Sequence, residues 1–316
     1  MTKNTTILIM LFSLLAITSC NQANPSITLA LPQISSPTIQ PSPTLLPEFD
    51  GEQAYQDIVH QVELGPRIPD SQAHQETVHW IESELEKAGW RVDIQETSMV
   101  GHPIRNVIAK RELESGSERP WIILGAHYDT RLIADHDLDP ILRDTPVSGA
   151  NDGASGVAVL LELGRKLPRN LPVDVWLVFF DAEDNGRIPG WDWILGSRSF
   201  VENLDEHPDA AIIVDMVGDA DLNLYIEKNS DPGLVDSIWS LAKELGYSNQ
   251  FINTSKHRMI DDHIPFIEAG IPAVDIIDFD YPYYHTTADT IDKVSATSLQ
   301  IVGDTLLTWI MNYTYP

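Results

Sequence analysis

The apolar residues between Glu52 and Leu64 recur at helical spacing until Gly65-Pro66 interrupts them, so the folded part of the chain opens with a helix. A second helix follows at once. Asp70 or Ser71 can cap it, Val78, Ile81 and Leu85 form its apolar face, and Gly89 supplies the left-handed residue that ends it. Three strands are expected next, at Trp90 to Gln95, Ile104 to Lys110 and Trp121 to Gly125. The last is a continuous apolar run of the kind buried on both faces of a central sheet. The pattern then alternates: helix from about Ser155 to Leu167, strand from Val173 to Phe180, helix near Ser197 to Asn203, strand from Ala211 to Val217. Helices from Asp231 to Leu245 and Ile264 to Ala269, a strand from Ala273 to Ile277 and a closing helix from Ser295 to Met311 complete it. This rhythm predicts an α/β fold, a three-layer α/β/α sandwich around a mixed, mostly parallel sheet.

In open α/β sheets ligands bind beyond the carboxyl ends of the strands, so the polar residues just past each apolar run carry the chemistry. Strand Trp121 to Gly125 runs into Ala126-His127-Tyr128-Asp129, and strand Val173 to Phe180 into Asp181-Ala182-Glu183-Asp184. Strand Ala211 to Val214 runs into Asp215, and the last strand leads to Tyr284-His285. Carboxylates gathered at one sheet edge repel one another unless a cation sits among them. Imidazole and carboxylate donors without a thiolate suit zinc, with cobalt or manganese as alternatives. Asp129, two residues past His127, is placed to hold that ring through its second nitrogen, although a plain surface role also fits. Asp152 reads either as a cap of the helix behind it or as a ligand in the tight Asn-Asp-Gly turn. Any one such residue alone is ordinarily a cap or turn residue; the joint pattern is what points to metal.

Composition narrows this further. With 316 residues, 43% of them hydrophobic, the chain can bury one enzyme-sized core. Its net charge of −27, from 47 acidic and 20 basic residues, excludes nucleic acid as a partner, because phosphate binding needs clustered Lys and Arg. Lys3 precedes an apolar run from Ile7 to Ile17 that is too short to span a bilayer and reads as a signal peptide. Ile17-Thr18-Ser19-Cys20 resembles the bacterial lipobox, and Cys20 is the only cysteine, which excludes an intrachain disulfide and a structural thiolate zinc site. The expected organisation is a signal peptide over residues 1–19, a disordered Pro/Ser/Thr-rich tether over 20–48 and a catalytic domain over 49–316. The protein is thus expected at the bacterial cell envelope, held to the membrane through lipid on Cys20.

Five dispersed blocks carry a resemblance: Gly125-Ala126-His127-Tyr128-Asp129-Thr130, Gly149-Ala150-Asn151-Asp152-Gly153-Ala154-Ser155-Gly156, Glu183-Asp184, Asp215-Met216 and His285-Thr286. Together they resemble the zinc aminopeptidase and glutaminyl cyclase superfamily. The resemblance implies that His127 and Asp215 hold one metal and Asp184 and His285 another, with Asp152 bridging. It implies Glu183 as general base and a cis peptide after Asp152. The segment from Asp261-Asp262-His263-Ile264-Pro265-Phe266 to Gly270-Ile271-Pro272, and Gly196-Ser197-Arg198 with Trp191 upstream, resemble the cyclase branch. That branch implies a single zinc on Asp152, Asp184 and His285, an acidic network of Glu183, Asp215 and Asp262, and a substrate pocket walled by Trp191 and Tyr284. Asp262 also reads as an N-cap for the helix beginning at Ile264, and Trp191 as a core residue. Two residues depart from the family pattern. Asp184 stands where a glutamate is usual, which requires a closer backbone approach to the metal, and Tyr284 stands where animal cyclases place tryptophan, which adds a hydroxyl.

The activity expected is conversion of N-terminal glutamine to pyroglutamate with loss of ammonia, on peptide or protein N-termini and with one zinc. The alternative is a di-zinc aminopeptidase acting on the same termini. A non-catalytic surface binding protein is the third reading, and the retained Glu183 speaks against it.

Overall fold

The computed structural model describes residues 47–111 and 119–314. The signal peptide, Cys20 and all of the tether except its last two residues lie outside the described residues. Among the described residues no helix is long and apolar enough to cross a membrane.

Helix α1 (Gly51–Leu64) starts where the Asp50 carboxylate accepts the Gln53 amide at 3.0 Å, and it stops at Gly65, whose φ of 102° no helix continues. Of the two caps expected for α2 (Gln72–Lys87), Ser71 is the one used, its hydroxyl accepting the His74 amide at 3.1 Å. Strand β1 (Arg91–Met99) runs past the expected end at Gln95. A two-residue turn of left-handed backbone, Val100 and Gly101, folds it onto β2 (His102–Lys110), and Met99 pairs with His102. Then follow β3 (Trp121–His127), α3 (Ala154–Lys166), β4 (Asp174–Phe180), α4 (Leu195–Glu202) and β5 (Ala210–Asp215). Strand β5 stops two residues short of the expected Val217 because Met216 turns left-handed, at φ 46°. The small strands β6 (Leu224–Ile226) and β7 (Phe251–Ser255) flank α5 (Pro232–Glu244) and pair in parallel as a separate ribbon that the pattern did not predict. Helix α6 (Ile264–Glu268), strand β8 (Ala273–Ile277) and helix α7 (Ala296–Met311) close the chain.

The main sheet has the order β1-β2-β4-β3-β5-β8; β4, β3, β5 and β8 are parallel, and β1 and β2 run antiparallel at one edge. Alternation along each strand divides the core. Ile122 and Leu124 of β3, Leu177 and Phe179 of β4, and Ile212 and Val214 of β5 face a large cluster built with α1, α2, α3, α5 and α7. Their neighbours Ile123, Val178, Phe180 and Ile213 face a smaller cluster built with α4 and α6. Helices therefore cover both faces, and the three-layer α/β/α reading holds. Because β4, β3, β5 and β8 are parallel, their carboxyl ends all open on the same edge.

Candidate active site

At that edge β3 ends on His127, β4 is followed by Glu183 and Asp184, and β5 ends on Asp215. The loop into α3 brings Asp152, and the loop after β8 brings His285; all six side chains are buried. His127 Nε2 lies 3.1 Å from carboxylate oxygens of both Asp152 and Asp215. His285 Nε2 lies 2.6 Å from Asp184 Oδ1 and 3.7 Å from Asp152 Oδ2. Two three-ligand groups result, His127–Asp152–Asp215 and Asp152–Asp184–His285, and they share Asp152. In each, ligand atoms lie within 4.8 Å of one another. The Asp152–Gly153 peptide is cis, as the resemblance implies. Gly153 is needed for a separate reason: a Cβ there would sit 2.5 Å from His127 Nε2.

Residues around these groups hold them in place. Asp129 faces His127 Nδ1 at 3.4 Å, and it also accepts the amides of Glu183 at 3.0 Å and Asp184 at 3.4 Å, so one buried carboxylate orients both a ligand and the β4 loop. Asp289, which sequence reasoning missed, accepts the amides of Asn151 and Asp152 and the Tyr281 hydroxyl. Arg67 and Arg131 were missed as well. Arg67 donates to three carbonyls, of Tyr128, Ser148 and Gly149; Arg131 donates to the Asp184 carbonyl at 2.6 Å while its charge is met by Asp135. Nothing in a linear reading marks these braces, because a lone Asp or Arg in a loop has no periodicity. Asp181, in the acidic run after β4, turns away from the site and pairs with His74 at 2.7 Å.

Burial pushes the carboxyls of Asp184 and Glu183 well above the usual range. The charge of Asp152 adds to the first; for Glu183, partial relief from His127 is opposed by Asp261 and Asp184. Burial also raises Asp215, and pushes Asp261 to about 7 with the charge of Asp215 behind it. His127 moves the other way from the expected effect of burial: desolvation lowers it, but Asp215 and its hydrogen bonds to three carboxylates hold it well above an ordinary imidazole. His285 is held well below by burial. Such a cluster is short of positive charge. Asp152 Oδ2 and Asp184 Oδ2 are buried without a hydrogen-bond partner, although native folds leave few such atoms unsatisfied. Orphaned oxygens beside imidazole nitrogens, with no thiolate, are what a divalent cation such as zinc requires, so the residues fit the metal.

A cavity of about 290 Å³ opens over this floor, lined by Asp152, Glu183, Asp184, Asp215 and Asp261 below and by Trp193, Phe279 and Tyr284 at the side. Tyr284, expected in the substrate wall, is there, stacked on His285 at 3.5 Å. Trp191 is not. It stacks on His102 at 3.5 Å and packs beside Ile104, Ala182 and Leu195, so the aromatic it was expected to provide comes from Trp193. Trp193 lies parallel to His285 at 6.0 Å, in the space left by Gly186, where a Cβ would meet the indole at 2.0 Å. Asp262, expected in an acidic network with Glu183 and Asp215, acts on Glu183 by its charge from behind the cavity wall. It is fully buried and absent from the cavity wall, and Asp261 lines the cavity instead. Nor does Asp262 cap α6, which begins after His263 with no side-chain cap; the Ile264 amide bonds to the Asp261 carbonyl at 2.9 Å. His263 lies buried between Glu227, at 3.3 Å, and Asp275, at 3.6 Å.

The chain resembles known proteins over the same region. Aminopeptidase YwaD of Bacillus subtilis is 29% identical over 220 residues, covering 63% of this chain and 42% of that one, so the chain spans less than half of this relative. The crystal structure of Tannerella forsythia glutaminyl cyclase superposes with a TM-score of 0.79 at 33% identity, covering 85% of this chain and all of that one. The crystal structure of a leucine aminopeptidase precursor from Bacteroides thetaiotaomicron does so with a TM-score of 0.80 at 32% identity, covering 85% and 99%. Residues 106–310, which hold every residue of both ligand groups, match the model of Peptidase family M28, and the chain belongs to that family.

Proposed function

We propose that this site cyclises N-terminal glutamine on peptides, releasing ammonia. Asp152, Asp184 and His285 would hold one zinc, which when bound polarises the side-chain amide carbonyl of the substrate. Glu183 accepts a proton from the α-amine as its nitrogen bonds to the side-chain amide carbon. It returns that proton to the amide nitrogen as the carbon–nitrogen bond breaks and ammonia leaves. No water is consumed, and the wall of Trp193, Phe279 and Tyr284 limits its access.

The observation that carries this reading is the position of Asp261. It shares the cavity with Glu183 and Asp215; its charge acts on Glu183, and the charge of Asp215 acts on it. Buried carboxyls that act on one another by charge hold Glu183 above an ordinary carboxylate, so a proton it takes from the α-amine is held better until it is passed to the leaving nitrogen. The likeness to a solved glutaminyl cyclase, over 85% of this chain and all of that one, supports the same reading. Aminopeptidase activity is the second reading, favoured by one observation: the His127–Asp152–Asp215 group is complete, so a second cation has a place. Cations held by both groups would supply a more acidic water, and Glu183 would take its proton for attack on the first peptide bond.

The zinc-loaded protein is incubated with a Gln-initiated peptide and the products are weighed by mass spectrometry. Loss of one ammonia with the peptide otherwise intact is expected; release of free glutamine overturns the choice. Glu183→Gln is expected to lower turnover by roughly 10²–10⁴-fold with metal content unchanged. One zinc per chain accords with the cyclase and two with the peptidase.

A further inference from the structure

The wall of the cavity is not uniformly acidic, for two guanidinium groups, Arg187 and Arg258, line it together with the five carboxylates. Both are exposed at its rim. Among the described residues Arg187 has no hydrogen-bond or ion-pair partner. Its backbone is nevertheless held at φ 65°, in the left-handed region that favours glycine, by a tight loop in which Ile188 N donates to Asn185 O and Trp191 N to Ile188 O. Arg258 is braced by a neutral partner: its Nη1 donates to Asn229 Oδ1, while Asn229 Nδ2 donates to the Met259 carbonyl at 3.0 Å. Among the described residues neither charge is met by an ion pair. The contrast is Arg131, buried behind the ligand loop and paired with Asp135 at 2.7 Å. In a chain of 20 basic and 47 acidic residues, two uncompensated cations on the rim of one acidic cavity call for an anionic visitor.

We infer that Arg187 and Arg258 form a carboxylate-recognising rim, which makes the preferred substrates peptides with an acidic group close behind the N-terminal residue. This rests on the reading that a peptide N-terminus enters the cavity. The floor carries negative charge that draws in the terminal ammonium, and Met259, Ile260 and Phe279 form an apolar stretch of the wall. A cavity of this volume is on the order of 7 Å across, the reach of roughly two extended residues, so the carboxylate belongs to the second or third residue. The side chain of Asp or Glu supplies it, and so does the α-carboxylate of a dipeptide.

The test uses the metal-loaded full-length protein at low salt with the amidated tripeptides Gln-Glu-Ala, Gln-Ala-Ala and Gln-Lys-Ala, and with the dipeptide Gln-Ala as free acid and as amide. Expected is a kcat/KM order of Glu over Ala over Lys, with roughly tenfold between the ends, carried by KM and compressed by added salt. The free-acid dipeptide outperforming its amide identifies the α-carboxylate as a second source of the same contact. Arg187→Glu combined with Arg258→Glu is expected to invert the order. Equal kcat/KM for the three tripeptides, or an order that survives the double reversal, overturns the inference. If no peptide releases ammonia, the functional reading fails while the inference is still decided, since binding of the same peptides to the Glu183→Gln variant must follow the same order.

Discussion

The side chains of the two candidate metal groups were legible because each is chemically distinct and most lie just past an apolar strand. His127, Asp184 and Asp215 could be placed by counting to the end of a run, Asp152 by its glycine-flanked turn, and His285 by the block it forms with Thr286. What could not be read was which of two neighbours faces the cavity. Trp191 and Trp193 lie in one loop, and their directions are set by the left-handed backbone of Arg187 and Ile194 and by the space that Gly186 leaves, none of which has a pattern. Asp261 and Asp262 pose the same problem, since adjacent residues leave a turn in different directions. The assignment of the aromatic wall is open to direct check. Trp193→Ala removes a face parallel to His285 and is expected to raise KM for a Gln-initiated peptide by roughly tenfold, the scale of one buried aromatic contact. Trp191→Ala, which removes a contact with His102 outside the cavity, is expected to change KM less than twofold or so while lowering thermal stability. Steady-state kinetics on the two variants checks this, and the reverse ranking returns Trp191 to the wall.

The elements themselves followed from periodicity almost throughout, because long apolar patterns average over local exceptions. The exceptions have local causes: Val100-Gly101 extends β1 by closing a hairpin, and Met216 ends β5 early. The β6–β7 ribbon escaped because a three-residue strand such as Leu224–Ile226 is too short to show alternation. Contacts between elements were invisible for a different reason, since they depend on partners far apart in the chain. Arg165 of α3 is an instance: it reaches Asp57 of α1 at 2.6 Å, Glu84 of α2 at 3.1 Å and Glu162 of its own helix at 3.1 Å. Burial holds the carboxyls of Asp57 and Glu162 above their usual range even with this guanidinium beside them. Removing it leaves Asp57 buried with only the neutral Gln53 amide beside it, so that it must stay charged without a cation or take up a proton, while Glu162 keeps Lys166 alone. Arg165→Leu is therefore expected to cost about 3 kcal/mol, measured by denaturant unfolding. Replacing Asp57, Glu162 and Arg165 together by apolar residues is expected to recover much of that loss, because no charge is then stranded.

For the molecule as a whole, the same edge that carries the candidate metal groups sets the dependence of stability on pH. In the metal-free protein, burial raises Glu183, Asp184, Asp215, Asp261 and Asp289 above their unfolded values near 4, with Asp261 and Asp289 reaching about 7. Across the window from about 4 to 7 the folded state thus keeps protons that the unfolded state has released, and stability falls as pH rises through it. His127, raised as well, extends the fall upward; His285, held low, and Asp152, whose carboxyl is lowered by its hydrogen bond to His127, act in the opposite direction but are outnumbered. A bound cation reverses the balance, because its ligands must be deprotonated and its charge lowers the acids around it. Metal-free protein is expected to melt higher at pH 5.5 than at pH 8, and the gain in Tm on adding zinc is expected to grow with pH. Calorimetric titration of zinc in buffers of differing ionisation enthalpy is expected to show net proton release at neutral pH. Zinc binding without proton release would mean that the carboxyls at this edge are already ionised, and that some group other than the cation balances their charge.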